Sequence, residues 1–269
     1  MKTPEELQRY RPQPSARLCR VIWLKKRTLW LNQHWLEVML ILFLVFNLLP
    51  WLAPLSMKLG WTAPAEGIYT LYSPLCHQMA QRSFFLFGHQ ITYDPEELPF
   101  KLTGKTGTDT LLLRQFRGNS ELGWKVAWSD RMVSMYGSLW LAMLLFATLS
   151  RSRPVKPLSL WMFILALMPM LLDGGTHLIS DVDGLQKGFR YENAWLTELT
   201  GHTLPGSFYA GDELGSFNSW MRLLSGITFG FGIVWFVFPY LWRATEDAAQ
   251  TIAEQLKRAA ELYNLTNEV

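Results

Sequence analysis

The chain has 269 residues, of which 49% are hydrophobic and 17% are charged. Because about a quarter of the residues in an ordinary soluble domain are charged, this composition argues against such a domain. A net charge of +3 and the lack of a basic-aromatic motif argue against a nucleic-acid partner.

Four stretches are apolar enough to form transmembrane helices, which need about 20 mainly apolar residues each. The second is uncharged, the third carries only Asp173 as a charged residue, and the fourth carries only Arg222. In the fourth, Gly226, Gly230 and Gly232 are typical of a close helix-packing face. We therefore predict an all-α, polytopic membrane protein. The four stretches are residues 35–55, 132–149, 157–179 and 220–242.

The segment 68–88, between the first two spans, is apolar and aromatic but is interrupted by Pro74. Its middle is too polar to cross a membrane, so it is predicted to be an interfacial or re-entrant helix. On such a helix, Gln78 and Arg82 share a face because they are four residues apart.

Lysine and arginine residues orient the spans, because positively charged loops stay in the cytoplasm. The leader before the first span holds eight of them and the short link 150–156 holds three. The loop 174–219 holds only Lys187 and Arg190. This distribution predicts a cell-membrane protein with both termini in the cytoplasm. The predicted parts are a basic leader, 1–34, a transmembrane domain, 35–242, with external loops 56–131 and 180–219, and a cytoplasmic amphipathic helix, 243–269.

The C-terminal tail has the periodicity of an amphipathic helix. Ile252, Leu256, Ala259 and Tyr263 recur at steps of three and four residues. Such a helix either packs on the protein or the membrane surface, or binds a partner. Besides the lipid bilayer, we therefore expect protein partners at this helix and at the external loops.

Polar residues from separate segments are predicted to meet at the extracytoplasmic end of the spans. The second and fourth spans begin there, and the third ends there. Ionisable residues within spans are costly and usually face a partner, a cavity or a site. We predict a polar site formed by Cys76, His77, Gln78, Arg82, Asp130, Arg131, Tyr136, Asp173, His177 and Arg222.

The residues of the third span allow more than one interpretation. Asp173 and Arg222 form an ion pair between helices in the simplest one. In another, Asp173 and His177 lie one helical turn apart and bind a metal ion or relay a proton. In a third, Gly174 and Gly175 end the helix between them.

A metal site is one interpretation of the polar cluster. Thiolate, imidazole and carboxylate ligands together suit zinc. The simpler interpretation is a buried thiol beside a hydrogen-bonded imidazole. The candidate metal ligands are Cys76, His77, Asp173 and His177.

The motif Cys-His-Gln-x-x-x-Arg-Ser-Phe at residues 76–84 resembles the signature of a family of prokaryotic membrane proteins, domain of unknown function 2085. Asp173-Gly174 and the stretch from Arg222 to Gly230 are further matches in the same order. The resemblance covers roughly residues 68–90 and 129–240. It implies a multi-pass membrane protein and carries no established activity.

The chain departs from that family in two respects. Such proteins often carry a Cys-x-x-Cys pair where this chain has Ser129, Asp130, Arg131 and Met132. A metal or redox role of that pair is therefore not expected here, unless Asp130 replaces a cysteine as ligand. The external loops are also enlarged, at about residues 91–128 and 182–215, which suggests added partner or substrate contacts.

Three functions are compatible with these features. We favour a structural, assembly or binding component, because four spans are few for a transporter and the cysteine pair is missing. One alternative is a metal-binding protein or an enzyme that acts on a substrate at the lipid interface. The other is a small anion transporter in which Arg82, Arg131 and Arg222 bind phosphate or carboxylate.

Overall fold

The computed structural model describes residues 15–263, and four of its helices are long and apolar enough to cross a membrane. These helices, α1, α4, α5 and α9, confirm the predicted all-α, polytopic architecture. The elements are, in chain order, α1 (Ala16–Lys58), α2 (Thr62–Tyr72), β1 (Ser83–Leu86), α3 (Thr106–Gln115), β2 (Gly118–Asn119), β3 (Gly123–Ser129), α4 (Asp130–Ser150), α5 (Leu160–Val182), α6 (Phe189–Glu192), α7 (Ala194–Leu199), α8 (Gly206–Tyr209) and α9 (Phe217–Tyr263).

Two of the long helices extend well beyond the predicted spans. The first begins at Ala16 and has a kink at His34, where φ is −119° and ψ is 16°. The last continues to Tyr263, so residues 243–263 of the predicted amphipathic tail are its continuation, and residues 264–269 lie outside the described part of the chain. α5 passes through Gly174 and Gly175 without a break, so the interpretation that these glycines end the helix is wrong. Glycine in a helix costs only about 1 kcal/mol relative to alanine, and packing commonly overrides such a preference.

The described chain divides into two compact units, one formed by its two ends and the other by Leu40–Phe236. In the first unit, Lys25 Nζ donates a hydrogen bond of 2.7 Å to Gln255 Oε1. Leu256, on the apolar face of the tail, is buried, so this face packs within the protein. The Lys25–Gln255 hydrogen bond and the burial of Leu256 favour the interpretation that the tail packs on the protein over the one in which it is a free partner-binding helix.

In the second unit, residues 59–129 and 183–216 form a cap at one end of the spans. The non-spanning helix predicted for 68–88 ends at Tyr72, because Pro74 follows and proline cannot continue a helix. Gln78 has a φ of +53°, a left-handed conformation outside any helix. The prediction that Gln78 and Arg82 share a helical face is therefore wrong.

The cap contains a small antiparallel sheet in the order β1-β3-β2, which was not predicted from the sequence. Ser83 pairs with Ser129 and Leu86 pairs with Trp124 across β1 and β3. Ser129 is the last residue of β3 and directly precedes the first residue of α4. The sheet therefore fixes where the second span begins.

Aromatic rings join the cap to the spans. The Trp128 ring stacks on Tyr136 of α4 at a centroid distance of 4.8 Å and meets Phe46 of α1 edge-on at 5.1 Å. Tyr72 of the cap contacts both Trp128 and Phe46, and its hydroxyl donates a 2.8 Å hydrogen bond to the Phe46 carbonyl. Such ring pairs contribute about 0.5–1.5 kcal/mol each beyond the area that they bury.

The predicted glycine packing face of α9 is confirmed. A Cβ atom on Gly226 would lie 2.1 Å from Ser134 Oγ, and one on Gly230 would lie 2.2 Å from Ser138 Oγ. Ser138 Oγ also donates a 2.9 Å hydrogen bond to the Gly226 carbonyl. Small residues therefore let α4 and α9 approach closely, as in other membrane helix pairs.

Candidate functional site

Four arginines and four aspartates meet where the cap joins α4, α5 and α9. Five of them lie on the spans: two at the beginning of α4, one in the middle and one in the last turn of α5, and one near the beginning of α9. The other three belong to the cap. The residues of this ion-pair network are Arg82, Asp130, Arg131, Asp173, Asp181, Arg190, Asp212 and Arg222.

Arg222 lies at the centre of one part of the network. Its Nε donates to Asp130 Oδ2 at 2.7 Å and its Nη1 donates to Asp212 Oδ1 at 2.7 Å. Its Nη2 donates to the Asp212 carbonyl oxygen at 2.6 Å. Asp130 Oδ1 also accepts a 2.7 Å bond from the Arg131 backbone amide, at the first turn of α4. Arg222 thus ties α9 to the beginning of α4 and to a cap loop.

Arg82 ties the cap to the end of α5. It binds both carboxylate oxygens of Asp181, at 2.8 and 2.9 Å, and Asp212 Oδ2 at 2.6 Å. Bidentate arginine–carboxylate pairs are among the stronger hydrogen-bonded contacts in proteins. Burial alone lowers the pKa of Arg82, but Asp212 and Asp181 raise it above its ordinary value. The guanidinium therefore stays charged.

Asp173, in the middle of α5, is shared by two arginines. Arg131 Nη2 donates to its Oδ2 at 2.7 Å, and Arg190 Nη2 donates to its Oδ1 at 2.8 Å. His177 lies one turn further along α5, with its Nε2 3.3 Å from Arg190 Nη2. A guanidinium only donates, so His177 Nε2 is the acceptor in this contact.

The network balances its own charge, since it contains four guanidinium groups and four carboxylates. Its side chains are between 0% and 20% exposed. Desolvating such charges is costly, so the pairs are weak evidence for stability, whereas removing one partner costs about 3–5 kcal/mol. The arrangement therefore joins three spans to the cap in one specific geometry.

Acid is expected to weaken the network through Asp212. Burial alone raises the pKa of this carboxyl, but Arg82 and Arg222 outweigh burial and hold the pKa below its ordinary value. Because the pKa of Asp212 is lower in the folded state than in the unfolded state, where it is about 3.9, the ionised carboxylate stabilises the folded protein above the unfolded pKa. This stabilisation is lost as the pH falls towards the pKa of the folded state. The stability difference between wild type and Asp212→Asn is therefore expected to be constant down to about pH 5 and to shrink below about pH 4.

Thermal unfolding of both proteins in detergent, at stepped pH, measures this difference. A difference that stays the same down to about pH 2 would show that Asp212 titrates alike in the folded and unfolded states.

A cavity of about 270 Å³ lies beside the network. One wall is the cap segment from Leu75 to Met79, and the other is the beginning of α4. His77 is exposed at its edge, whereas Cys76 is buried and its Sγ lies 3.4 Å from Ser129 Oγ. Among the charged side chains, Arg82, Asp130, Arg131 and Arg222 line the cavity.

The structure brings most of the predicted site residues to this end of the second unit. Arg82, Asp130, Arg131, Asp173 and Arg222 belong to the network, with His177 beside them. Cys76, His77 and Gln78 line the cavity. Tyr136 instead packs its ring on Trp128.

The interpretation that Asp173 pairs with Arg222 is wrong. Asp173 bonds Arg131 and Arg190, whereas Arg222 bonds Asp130 and Asp212. The reason is that the cap contributes two further charged residues. Arg190 pairs with Asp173, and Asp212 pairs with Arg222. Within residues 15–263, no three His, Cys, Asp or Glu side chains are grouped so that they could hold one metal ion.

Three residues of the network were missed in the sequence. Asp181 follows Asp173 and His177 at a further step of four residues, and this one-face pattern on α5 was a usable signal. Arg190 lies in the four-residue helix α6 and Asp212 lies in a loop before α9. No local pattern marks either of them, because their partners are distant in sequence.

Comparison with known proteins gives two matches. A family model described as "Predicted membrane protein (DUF2085)" matches residues 116–236. The Uncharacterized protein MJ1492 of Methanocaldococcus jannaschii is 30% identical over 157 residues, which are 56% of this chain and 76% of that protein. No solved structure matches. The family model therefore covers α4, α5 and the beginning of α9, whereas Arg82 and the Cys-His-Gln motif precede it.

Proposed function

The chain belongs to the DUF2085 family of predicted membrane proteins, and from this premise we propose that it is a binding component of the cell membrane. Both termini lie in the cytoplasm, and a polar cavity at the extracytoplasmic end binds the ligand. The orientation is supported by the leader and by the link 150–156, which carry positive charge, as cytoplasmic segments do. The link joins the ends of α4 and α5 that lie away from the cap.

The observation that carries the binding role is the cavity itself. A network that only locked helices together would need no space between its charges. Here a cavity of about 270 Å³ adjoins Arg82, Arg131 and Arg222. Its volume is close to the lower end of the usual range for ligand pockets, about 300–1,000 Å³. The cap and the exposed side of the C-terminal helix, away from Leu256, are the proposed surfaces for any protein partner.

The two native cysteines test orientation and occupancy together. Cys19 is exposed on α1, outside the cap, and Cys76 lines the cavity. A membrane-impermeant thiol reagent applied to intact cells is expected to leave Cys19 unmodified until the cells are opened. In isolated membranes, extensive washing that removes a bound ligand is expected to raise the modification rate of Cys76 about tenfold, which corresponds to about 1.4 kcal/mol of protection. Mass spectrometry of the two peptides measures both rates.

Cys19 is the internal control for the washing step, because it lies outside the cavity and its rate should not change. Modification of Cys19 in intact cells would contradict the orientation. Equal Cys76 rates before washing and after washing followed by delipidation in detergent, with full labelling of unfolded protein, would contradict the binding role.

A further inference from the structure

Arg131 is the least engaged guanidinium group in the cavity wall. Its side chain makes one ion pair, from Nη2 to Asp173, whereas Arg82 and Arg222 each bond two aspartates. The Nε atom of Arg131 is buried and has no hydrogen-bond partner in the described chain. Its Nη1 group also makes no hydrogen bond within the described residues, so Arg131 keeps donor capacity that an acceptor in the cavity can engage.

The charges that line the cavity favour an anion. Three guanidinium groups and one carboxylate line it. Arg82 and Arg222 are each paired with two aspartates, so Arg131 is the cation with the least compensation. The carboxylate, Asp130, already accepts a 2.7 Å bond from Arg222 Nε. The carboxylates of Asp173, Asp181 and Asp212 belong to the network but do not line the cavity.

The geometry points to a phosphate group as the ligand of this cavity, held by Arg131 with Arg82 and Arg222. A phosphate monoester carries a charge of about −1.5 to −2 at neutral pH and three strong acceptor oxygens, so it can engage more than one guanidinium group at once. Arginine donors also suit the several acceptor oxygens of a phosphate. The inference rests on the proposed binding role of the cavity and specifies what is bound. The phosphate belongs either to a lipid headgroup or to a free, soluble molecule.

The test uses the full chain, purified in detergent and washed as above, with Cys76 modification as the readout. Inorganic phosphate at saturation is expected to slow Cys76 modification about tenfold and to leave Cys19 unchanged, whereas acetate at equal ionic strength has little effect. A second arm offers phosphatidic acid in mixed micelles. Protection by phosphatidic acid alone supports phosphate chemistry with a lipid source. If neither inorganic phosphate nor phosphatidic acid protects Cys76, the inference is overturned.

Matched variants locate the site. Arg131→Gln and Arg190→Gln each remove one ion pair to Asp173, but only Arg131 lines the cavity. Arg131→Gln is expected to weaken phosphate binding at least about tenfold, and Arg190→Gln to change it less than about twofold. Arg131→Lys keeps a cation that pairs with Asp173 but loses the Nε donor. It is therefore expected to stay folded and to lose the same amount of phosphate affinity as Arg131→Gln. Equal phosphate affinity in wild type and Arg131→Lys overturns the inference.

The outcomes separate this inference from the proposed function. If washing accelerates Cys76 modification but neither phosphate source restores protection, the binding role stands and the phosphate assignment fails. If washing followed by delipidation has no effect, and neither phosphate source protects Cys76, both fail together.

Discussion

Replacing Arg222 by methionine is expected to destabilise the folded protein by about 3–5 kcal/mol, the usual cost of removing one partner from a buried ion pair. The Arg222 side chain is only 2% exposed and bonds Asp130 and Asp212. Methionine fills similar space but donates no hydrogen bond. Asp212 keeps its 2.6 Å bond to Arg82 Nε, whereas Asp130 keeps only the Arg131 backbone amide. Most of the loss is therefore expected to come from Asp130.

Unfolding in mixed micelles, followed by fluorescence of the tryptophans, measures this loss. The double variant Arg222→Met with Asp130→Asn removes the uncompensated charge and should recover part of the stability. Arg258→Met is the control, because Arg258 and Glu254 form a pair that is 78% and 72% exposed. Such exposed pairs contribute little. If Arg222→Met lowered the free energy of unfolding as little as the control does, Arg222 would not be part of a desolvated ion pair.

The spans were predictable because lipid imposes a simple rule on sequence. A segment that crosses the hydrocarbon core must satisfy its own backbone and present apolar side chains, so hydropathy located all four helices. Even Asp173 and Arg222 were informative, since a lone charge in a span needs a partner or a cavity. The topology placed both at one level, although it could not pair them.

The cap was not predictable in the same way. Its strands are between two and seven residues long, and β3 is buried at four consecutive positions, so it lacks the alternation of a half-buried strand. The segment 68–88 is apolar enough to suggest a helix, but Pro74 and the pairing of β1 with β3 determine its structure. Arg190 and Asp212 reach the network only through the folded loops, so no local pattern assigns their partners.

Lys125 is expected to be as important to the cap as Arg222 is to the network. It is fully buried in β3, and its ammonium group donates to three backbone carbonyls. These belong to Gln78 at 2.6 Å, Arg114 at 3.1 Å and Leu113 at 3.2 Å. An ammonium group has three donors, so all are satisfied. Burial, together with the neighbouring charge of Arg117, lowers the pKa of Lys125 well below its ordinary value.

Lys125→Met is therefore expected to destabilise the protein by about 3 kcal/mol or more, because it removes the donor to the Gln78 and Leu113 carbonyls. The Arg114 carbonyl, in contrast, keeps a 3.0 Å bond from Arg117 Nη1. Lys125→Arg should not restore stability, since a planar guanidinium cannot replace a compact ammonium at the centre of three acceptors. Lys101→Met, at an exposed position of the cap, is the control and should change little. Unfolding in mixed micelles measures all three.

The Lys125 variant also has a local consequence at the cavity. The Gln78 carbonyl that Lys125 binds belongs to the wall that carries Cys76, and the Gln78 backbone amide donates to Cys76 Sγ at 3.3 Å. Releasing the carbonyl should loosen this wall, so Cys76 modification is expected to accelerate in Lys125→Met while that of Cys19 does not change. If Cys76 kept its wild-type rate in a destabilised Lys125→Met protein, the lysine would hold the strands together without shaping the cavity. Its bond to Gln78 would then be unrelated to ligand binding.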